Sequence, residues 1–559
     1  MSKRRRDDTQ LDLPPTKRYR DTATFPLDQL SSLSDELLLH ILSFLPISSL
    51  NVCQRLSHRF HTLAGDSELW KRQYYSQWVR PRARRLANVT RSSLPPKVEY
   101  SPKVSTWFDH SHLAEKGKTT NWKGQYRLRH NWSTGVCRVT EVEFPQPPAP
   151  PVLVKLCAGV VFTADTAHGL RAWCAKDPAY CLANIPFPKE TDKATMCPTA
   201  LAVSQLDDEQ ELVVGFDDGH FNRYVFNMET SRLHFQSSQI GFKDGAITAM
   251  ALSSPYLLIV SQHTSLSLYN LRVSSQASGN TNETTNLRKL ASLNAANMVA
   301  PMTLSLRTSG LEIVATIVYS FFHIGCGWSL GIQELRFNQN GHQVESRLAS
   351  TVDSQYGSMQ SRGRASSRIR RHSTGTDTSD GHTAAAPIAP SIVHPHPPTS
   401  MSYSHPYLLT SHADNTLTMY LLVSDSRRLY VRGGQRLWGH TSSVSAVQVT
   451  NRGKAVSVSS RGDEIRIWEL EPAVRSLGSR QLLQEENSIQ VNPENKDRDE
   501  SEFESAPQSF RGDLSDSGLD GAPNDVSVMH RCVGFDEERV LLLREKTVGT
   551  QLLECYDFT

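Results

Sequence analysis

Two hydrophobic rhythms divide this chain. Between residues 30 and 70 (LSSLSDELLLHILSFLPISSLNVCQRLSHRFHTLAGDSELW) the apolar positions recur at helical spacing. Ser34 is placed to N-cap a helix whose first turn carries Asp35 and Glu36, at the end of the dipole that favours carboxylates. Leu37, Leu38, Leu39, Ile41, Leu42, Phe44 and Leu45 then cover roughly 240° of a helical wheel, where a surface helix needs a stripe of about 100°. Pro46 stops that helix, and Ser48 or Ser49 can open a second carrying Leu50, Val52, Cys53 and Leu56. Phe60, Leu63, Leu69 and Trp70 complete the set. A module of about 40 residues is too small to bury so wide an apolar surface alone. Part of it is expected to be covered by another protein.

From residue 134 the period shortens to that of strands. Units fall at 152–175, 199–227, 246–272, 303–338, 402–423 and 440–470, with a three-stranded unit from 526 onward. Each repeats an apolar strand, a second strand ending in small or polar residues, a turn, and a third strand ending near an aromatic. This rhythm predicts a β-propeller rather than a sandwich. Thr134–Phe144 (TGVCRVTEVEF) has no partner strand in its own neighbourhood, and an unpaired edge is a liability. It is expected to close the ring as the outer strand of the last unit, giving seven blades. Ile313–Ile332 is long enough to span a membrane. Its β-branched and aromatic content, broken by Ser320, Gly325, Gly327 and Ser329, predicts two buried strands and a turn instead.

The fold class expected is therefore α+β multidomain: a small N-terminal helical module followed by an all-β seven-bladed propeller. A basic tail occupies 1–26, the helical module 27–76, a basic linker with a helix 77–131, and the propeller 132–559. Polar inserts at 341–401 and 475–525 lack apolar periodicity and are expected to stay disordered, outside the ring.

The helical stretch resembles an F-box: Leu33, Glu36, Leu37, Leu38, Ile41, Leu42, Leu45, Pro46, Leu50, Leu69 and Trp70 match its pattern. Ser34 stands where that family usually has its first proline. The resemblance implies docking on the Skp adaptor of a cullin-based ubiquitin ligase through Leu33, Leu37, Leu38, Ile41, Leu42, Leu45, Pro46 and Leu50. The stretch WGHTSSVSAVQVTNRGKAVSVSSRGDEIRIWEL resembles one blade of the WD-repeat family, bracketed by Gly439-His440 and Trp468. That implies a buried, structural hydrogen-bonded set, with His440, Ser459 or Ser460, Asp463 and Trp468 as the nearest candidates. Asp463 sits one position closer to the Trp than the pattern expects. Asp217-Asp218-Gly219 and Asp414-Asn415 occupy comparable turns. Together the two resemblances point to a fungal-type F-box protein with a WD-repeat-like propeller.

Composition narrows the partners. A net charge of +3 on 559 residues gives no global field for nucleic acid or membrane. Nine cysteines without a CxxC pair suit a reducing compartment, and MSKRRRDDTQ lacks the apolar core of a secretory signal. Lys3–Arg6 and Lys17–Arg20 resemble a bipartite import signal, or form a solvated tail. A nuclear or cytoplasmic, not secreted, protein is expected. In 119–132 (TTNWKGQYRLRHNW) aromatic and basic residues interleave as they do for single-stranded nucleic acid. The basic residues are few, so a linker helix packing Trp122, Tyr126 and Leu128 against the next domain is expected instead.

No phosphate-cradling loop, HExxH, nucleophile elbow or metal-spaced Cys/His cluster is present, so no catalytic residue, metal or cofactor is expected. The function implied is recognition of an unidentified target protein, held near a charged ubiquitin carrier so that its effective concentration rises. The alternative is an adaptor-bound scaffold that assembles partners without their destruction.

Overall fold

The structure, a computed structural model, describes residues 30, 32–81, 120–144, 152–177, 180–187, 196–206, 209–239, 245–263, 265–272, 287–294, 299–309, 312–353, 392–425, 428–461, 464–471, 488–493, 531–547 and 550–559. The expectations for the basic tail, the import signal and most of both inserts lie outside these residues.

Four short helices build the N-terminal module: α1 (Asp35–Leu42), α2 (Ile47–Cys53), α3 (His58–Ala64) and α4 (Ser67–Tyr74), the last running into one π turn, Tyr75–Val79. Ser34 holds the N-cap position of α1 without a side-chain cap bond. Pro46, not a serine, caps α2: its extended backbone (φ −69°, ψ 159°) turns the chain, and an N-cap needs no N–H donor of its own. Side-chain caps occur further on, where Ser57 accepts from the Phe60 amide and Asp66 from the Glu68 amide. Leu38, Leu42, Leu50, Phe60, Leu63 and Leu69 form the core of the module.

The next described helix, α5 (Trp122–Thr134), is divided at Tyr126 between two compact units. Trp122 and Tyr126 join Trp70, Tyr74, Tyr75 and Trp78 in an aromatic cluster of the helical unit, with the Trp78 and Tyr126 rings 4.7 Å apart. The expectation that both pack against the following domain is thus corrected. Leu128 and Trp132 do so, and the 3.6-residue period alone did not say which of two apolar partners each half of the helix meets.

The second unit is a ring of seven sheets. Strand β1 (Val136–Phe144) follows α5 directly. The first blade is β2–β5 (Leu153–Cys157, Val160–Asp165, Gly169–Cys174, Cys181–Ile185) and the second β6–β9 (Pro198–Leu206, Glu209–Phe216, Phe221–Asn227, Arg232–Gln239). The third is β10–β13 (Ile247–Ser253, Tyr256–Ser261, Ser265–Asn270, Arg288–Asn294) and the fourth β14–β17 (Val299–Ser309, Glu312–His323, Gly327–Asn338, Gln343–Ser350). The fifth is β18–β21 (Ser400–Ser404, Tyr407–Ser411, Leu417–Ser424, Leu429–Leu437) and the sixth β22–β25 (Val444–Val449, Lys454–Ser459, Ile465–Glu469, Ser488–Gln490). The seventh is completed from both ends of the ring. After the short β26 (Asn492–Pro493) come β27 (Arg531–Phe535), β28 (Arg539–Thr547) and β29 (Thr550–Asp557), and β29 pairs antiparallel with β1 from Arg138↔Asp557 to Phe144↔Gln551.

Inward-facing side chains of adjacent blades meet in one apolar cluster at each of the seven junctions, from Phe162 and Phe226 between blades one and two to Val154 and Leu541 between seven and one. The segment Ile313–Ile332 is indeed two strands and a turn, β15 and β16. No helix among the described residues is long and apolar enough to cross a membrane.

Both insert boundaries were drawn too wide. Gln343–Ser350 is the outer strand of blade four, Ser400–Ser404 begins blade five, and Ser488–Pro493 supplies β25 and β26. Outer strands face solvent on one side, so their sequences (QVESRLAS, SIQ) carry little apolar alternation to read.

Each blade has an upper face, with the turn between its second and third strands, and a lower face with the other two turns. The second half of α5 packs on the lower face of blades six and seven. Trp132 stacks on Phe558 at 4.1 Å and donates to the Glu537 carbonyl, Asn131 donates to the Phe558 carbonyl, and Arg129 pairs with Glu469 at 2.9 Å. Lys454 Nζ lies 3.8 Å from the centre of the Trp132 ring. Burial lowers the Lys454 ammonium from its ordinary value to about 8, against a smaller opposing pull from Glu537. The unfolded chain therefore binds more protons than the folded one between about pH 8 and 10.5, and this group makes stability rise with pH across that window. Urea unfolding of wild type and Lys454→Met at pH 7.5 and 10 should show that rise flattened in the variant.

Candidate functional site

The apolar surface of α1 and the turn that follows it resolves into two parallel stripes. Leu38, Leu42 and Leu45, at i, i+4 and i+7, turn inward onto the module core. Leu37, Ile41 and Phe44 repeat the same spacing one residue earlier and are exposed, at 53%, 41% and 67%. On α2 and the turn after it Val52 and Leu56 are exposed as well. Arg59 anchors the start of α1 through two nitrogens on Asp35 and one bond to the Leu33 carbonyl. Arg72 lies over the Phe44 ring, 5.7 Å from its centre. The geometry is that of a small rigid body with an oily outer face.

This divides the eight positions expected to meet an adaptor. Leu38, Leu42 and Leu50 are at most 2% exposed and belong to the interior, so they shape the module and are not accessible to a partner. Leu33 and Leu45 are half-buried against that core, while Leu37, Ile41 and Pro46 lie open. Phe44, Val52 and Leu56 share the open surface and were not nominated. Splitting the wheel into its two i, i+4, i+7 rows separates Phe44 from the core at the level of sequence.

In blade six the hydrogen-bonded set centres on a residue the sequence did not single out. Ser457 Oγ lies 2.6 Å from His440 Nε2 and accepts from Trp468 Nε1 at 2.7 Å, all three buried. Ser459 and Ser460 are not that link. Ser459 Oγ accepts from the Glu464 amide, and Ser460 pairs with Ser443. The acidic member beside the ring is Glu464, 3.3 Å from His440 Nδ1 and accepting from the Thr441 amide and hydroxyl. Asp463 lies outside the described residues. The reason is register: Ser457 and Ser459 share a face of β23, but Trp468 pairs opposite Ala455, so Ser457 is its near same-face neighbour and Ser459 lies one pleat further off.

Blade one carries the same link, which sequence reasoning missed. Trp173 Nε1 donates to Thr163 Oγ1 at 2.9 Å, and each Trp stands two residues past the partner opposite its hydroxyl residue (Thr163↔Arg171, Ser457↔Arg466). A turn one residue shorter hides the match in the sequence. Asp218 and Asp414 serve their own turns, accepting from the backbone amides of His220 and Thr416. Among the described residues no three His, Cys, Asp or Glu side chains converge as a metal site.

Removing the Ser457 hydroxyl leaves the buried indole N–H and the imidazole without their shared partner. Ser457→Ala should cost about 2 kcal/mol or more, against less than about 1 kcal/mol for the half-buried Ser460→Ala, read from urea midpoints.

Two protein families match the chain. One, described as F-box-like, covers residues 30–76, and the other, described as F-box protein pof12 beta-propeller, covers residues 137–559. The F-box protein pof12 of Schizosaccharomyces pombe is 24% identical over 461 residues, spanning 79% of this chain and 84% of that protein. Among solved structures, the WD40 repeats of RRP9 are similar over 62% of this chain and 86% of theirs, at 12% identity and a TM-score of 0.32. A structure of U3-55K is similar over 74% of this chain and 99% of its own, at 11% identity and a TM-score of 0.36.

Proposed function

The chain belongs to the family of F-box proteins with the pof12-type β-propeller, and from that premise we propose that it is the target-recognition subunit of an SCF-type ubiquitin ligase. The observation that carries the proposal is the second apolar stripe of α1. Leu37, Ile41 and Phe44 stay in water although the module already holds a core, which suits them to a Skp adaptor and, through it, a cullin. Pro46, Val52 and Leu56 extend the proposed docking surface, with Leu33 and Leu45 lining it and Leu38, Leu42 and Leu50 supporting it from within. The propeller then holds the target protein, in the nucleus or the cytoplasm. The chain performs no bond chemistry of its own in this scheme: it raises the concentration of a target beside the ubiquitin carrier.

Because Leu37 and Ile41 are exposed, Leu37→Ala with Ile41→Ala leaves the module folded. Each truncated anchor typically costs about 2 kcal/mol of binding, so adaptor and cullin should be lost from the co-purified complex while the melting of the chain is unchanged. Co-purification at wild-type yield would refute adaptor docking by this face. Cycloheximide chase of propeller-bound proteins, with and without the double substitution, separates a ligase from a scaffold: a ligase lengthens their half-lives when uncoupled, and a scaffold does not.

A further inference from the structure

Residues 392–398 (IVHPHPP) cross the upper face from the tip of the blade-four hairpin to blade five and lead into β18. Pro395, Pro397 and Pro398 have no amide to give, so carbonyls and side chains must hold this strap. The His394 carbonyl accepts from the Trp328 amide at 2.9 Å, beside a bridge to Gly327, and the Val393 carbonyl accepts from Arg436 Nη2 at 2.9 Å.

The side chain that pins the strap to blade five is the His394 ring. It lies flat on the ring of His412, in the β19–β20 turn, with centres 3.8 Å apart and planes 2° from parallel. Both residues are buried, at 4% and 5% exposed. His394 Nε2 is 3.3 Å from Thr418 Oγ1, whereas His394 Nδ1 has no hydrogen-bond partner. Thr410 gives its hydroxyl proton to the Thr418 carbonyl, so its oxygen accepts from His412 Nε2 at 2.9 Å.

The surroundings disfavour a positive charge on either ring. Arg436, at the upper end of β21, brings the same sign. Asp414 brings the opposite one, but it lies 3.7 Å from Arg436 Nη1 and accepts from the Thr416 amide and hydroxyl. The other titratable groups on the elements packed here are uncharged: His323 and Cys326 at the blade-four tip, His396 in the strap and Tyr420 on β20, while β22 has none. Burial and Arg436 push His394 down to about 4, and burial and His394 push His412 down to about 3, against the pull of Asp414.

We propose that the His394–His412 stack is an acid-sensitive latch, and that a proton taken from solvent by the pair frees the strap from the blade-four tip and from blade five. With Nε2 engaged by Thr418, the nitrogen left to take the proton on His394 is Nδ1. There the new N–H finds no acceptor, and the imidazolium lies against a second imidazole and near a guanidinium. Once the strap lifts, water reaches both rings and their proton affinity returns toward the ordinary value of 6.5. The open form then binds more protons than the closed one. Closure is therefore complete at neutral pH and is lost as pH falls below about 6.5, each histidine making opening roughly tenfold easier per pH unit. Opening bares the Trp328 amide and the hydroxyls of Thr410 and Thr418. The latch does not rest on the ligase reading.

The test is hydrogen exchange of the full chain between pH 7.5 and 5.5, corrected for the intrinsic pH dependence of exchange. Protection of the Trp328 amide should fall at least tenfold across that interval, and roughly a hundredfold if opening solvates both rings. The strands of blade one should keep their protection. The double variant His394→Phe, His412→Phe keeps two stacked rings that take no proton, and its Trp328 protection should not respond to pH. Melting at pH 7.5 reports whether that variant is folded. If it is not, the wild-type profile still decides. The proposal is overturned by Trp328 protection that is level from pH 7.5 to 5.5, by a loss that blade one shares equally, or by a pH response kept in full by the folded double variant.

Discussion

The rest of the propeller depends on one antiparallel pairing, β1 with β29. A propeller buries each blade only by pressing it between two others, so an open ring would bare two blade faces at once. Here those faces carry Val152, Val154 and Val161 on one side and Leu541, Leu543 and Leu553 on the other, all gathered at the junction of blades seven and one. Seven consecutive residue partners, from Arg138↔Asp557 to Phe144↔Gln551, hold the seam shut. The approach to the seam is equally constrained. Gly135 sits between α5 and β1 at φ +76°, where a Cβ would lie 2.1 Å from the Gln490 carbonyl oxygen, so no other residue fits. Its own carbonyl accepts from the Asn492 amide, tying blade six to the strand that closes blade seven.

Apolar clusters press blades together but do not by themselves set a register. Directional bonds add to them within and between blades. The two Trp–hydroxyl links, Trp468–Ser457 and Trp173–Thr163, stand in blades six and one, on either side of the closing blade. Blades four and five meet across the segment 354–391, and a longer connection adds loop-closure cost. At that junction the fully buried Glu334 takes Arg336 Nε at 3.0 Å, Arg307 Nη2 at 3.2 Å and the Ser424 hydroxyl of the next blade, while Arg347 donates to the Asp425 carbonyl. A buried charge so fully partnered is costly to disturb on either side.

The sequence made the architecture legible wherever burial was two-sided. Ile313–Ile332 is apolar because β15 and β16 lie in the middle of a blade, and the lone strand 136–144 betrayed the ring closure by lacking a local partner. Outer strands such as Gln343–Ser350 and Ser488–Gln490 were missed because one face of each meets water and their composition passes for linker. The exposed apolar face of the candidate site was legible in kind but not in residue. A run such as Leu37-Leu38-Leu39 announces excess apolar surface, yet only the wheel phase tells that Leu38 is interior and Leu37 is not. Ser457 was passed over in favour of Ser459 for a related reason. Counting from the motif finds the hairpin, whereas the pairing register decides which of two same-face serines lies beside the Trp.

Exposed apolar side chains have different physical settings in the two units. On the N-terminal module, small size forces some oil into water, because a body of that length has too little interior for Leu37, Ile41 and Phe44 as well as Leu38, Leu42 and Leu50. The propeller is under no such pressure: each junction holds a packed cluster, and Ile317, Val318 and Ile332 of the blade-four hairpin are at most 1% exposed. Past Ser320 the hairpin continues through Phe321–His323 and Gly327–Leu330 and leaves Phe322 and Ile324 exposed.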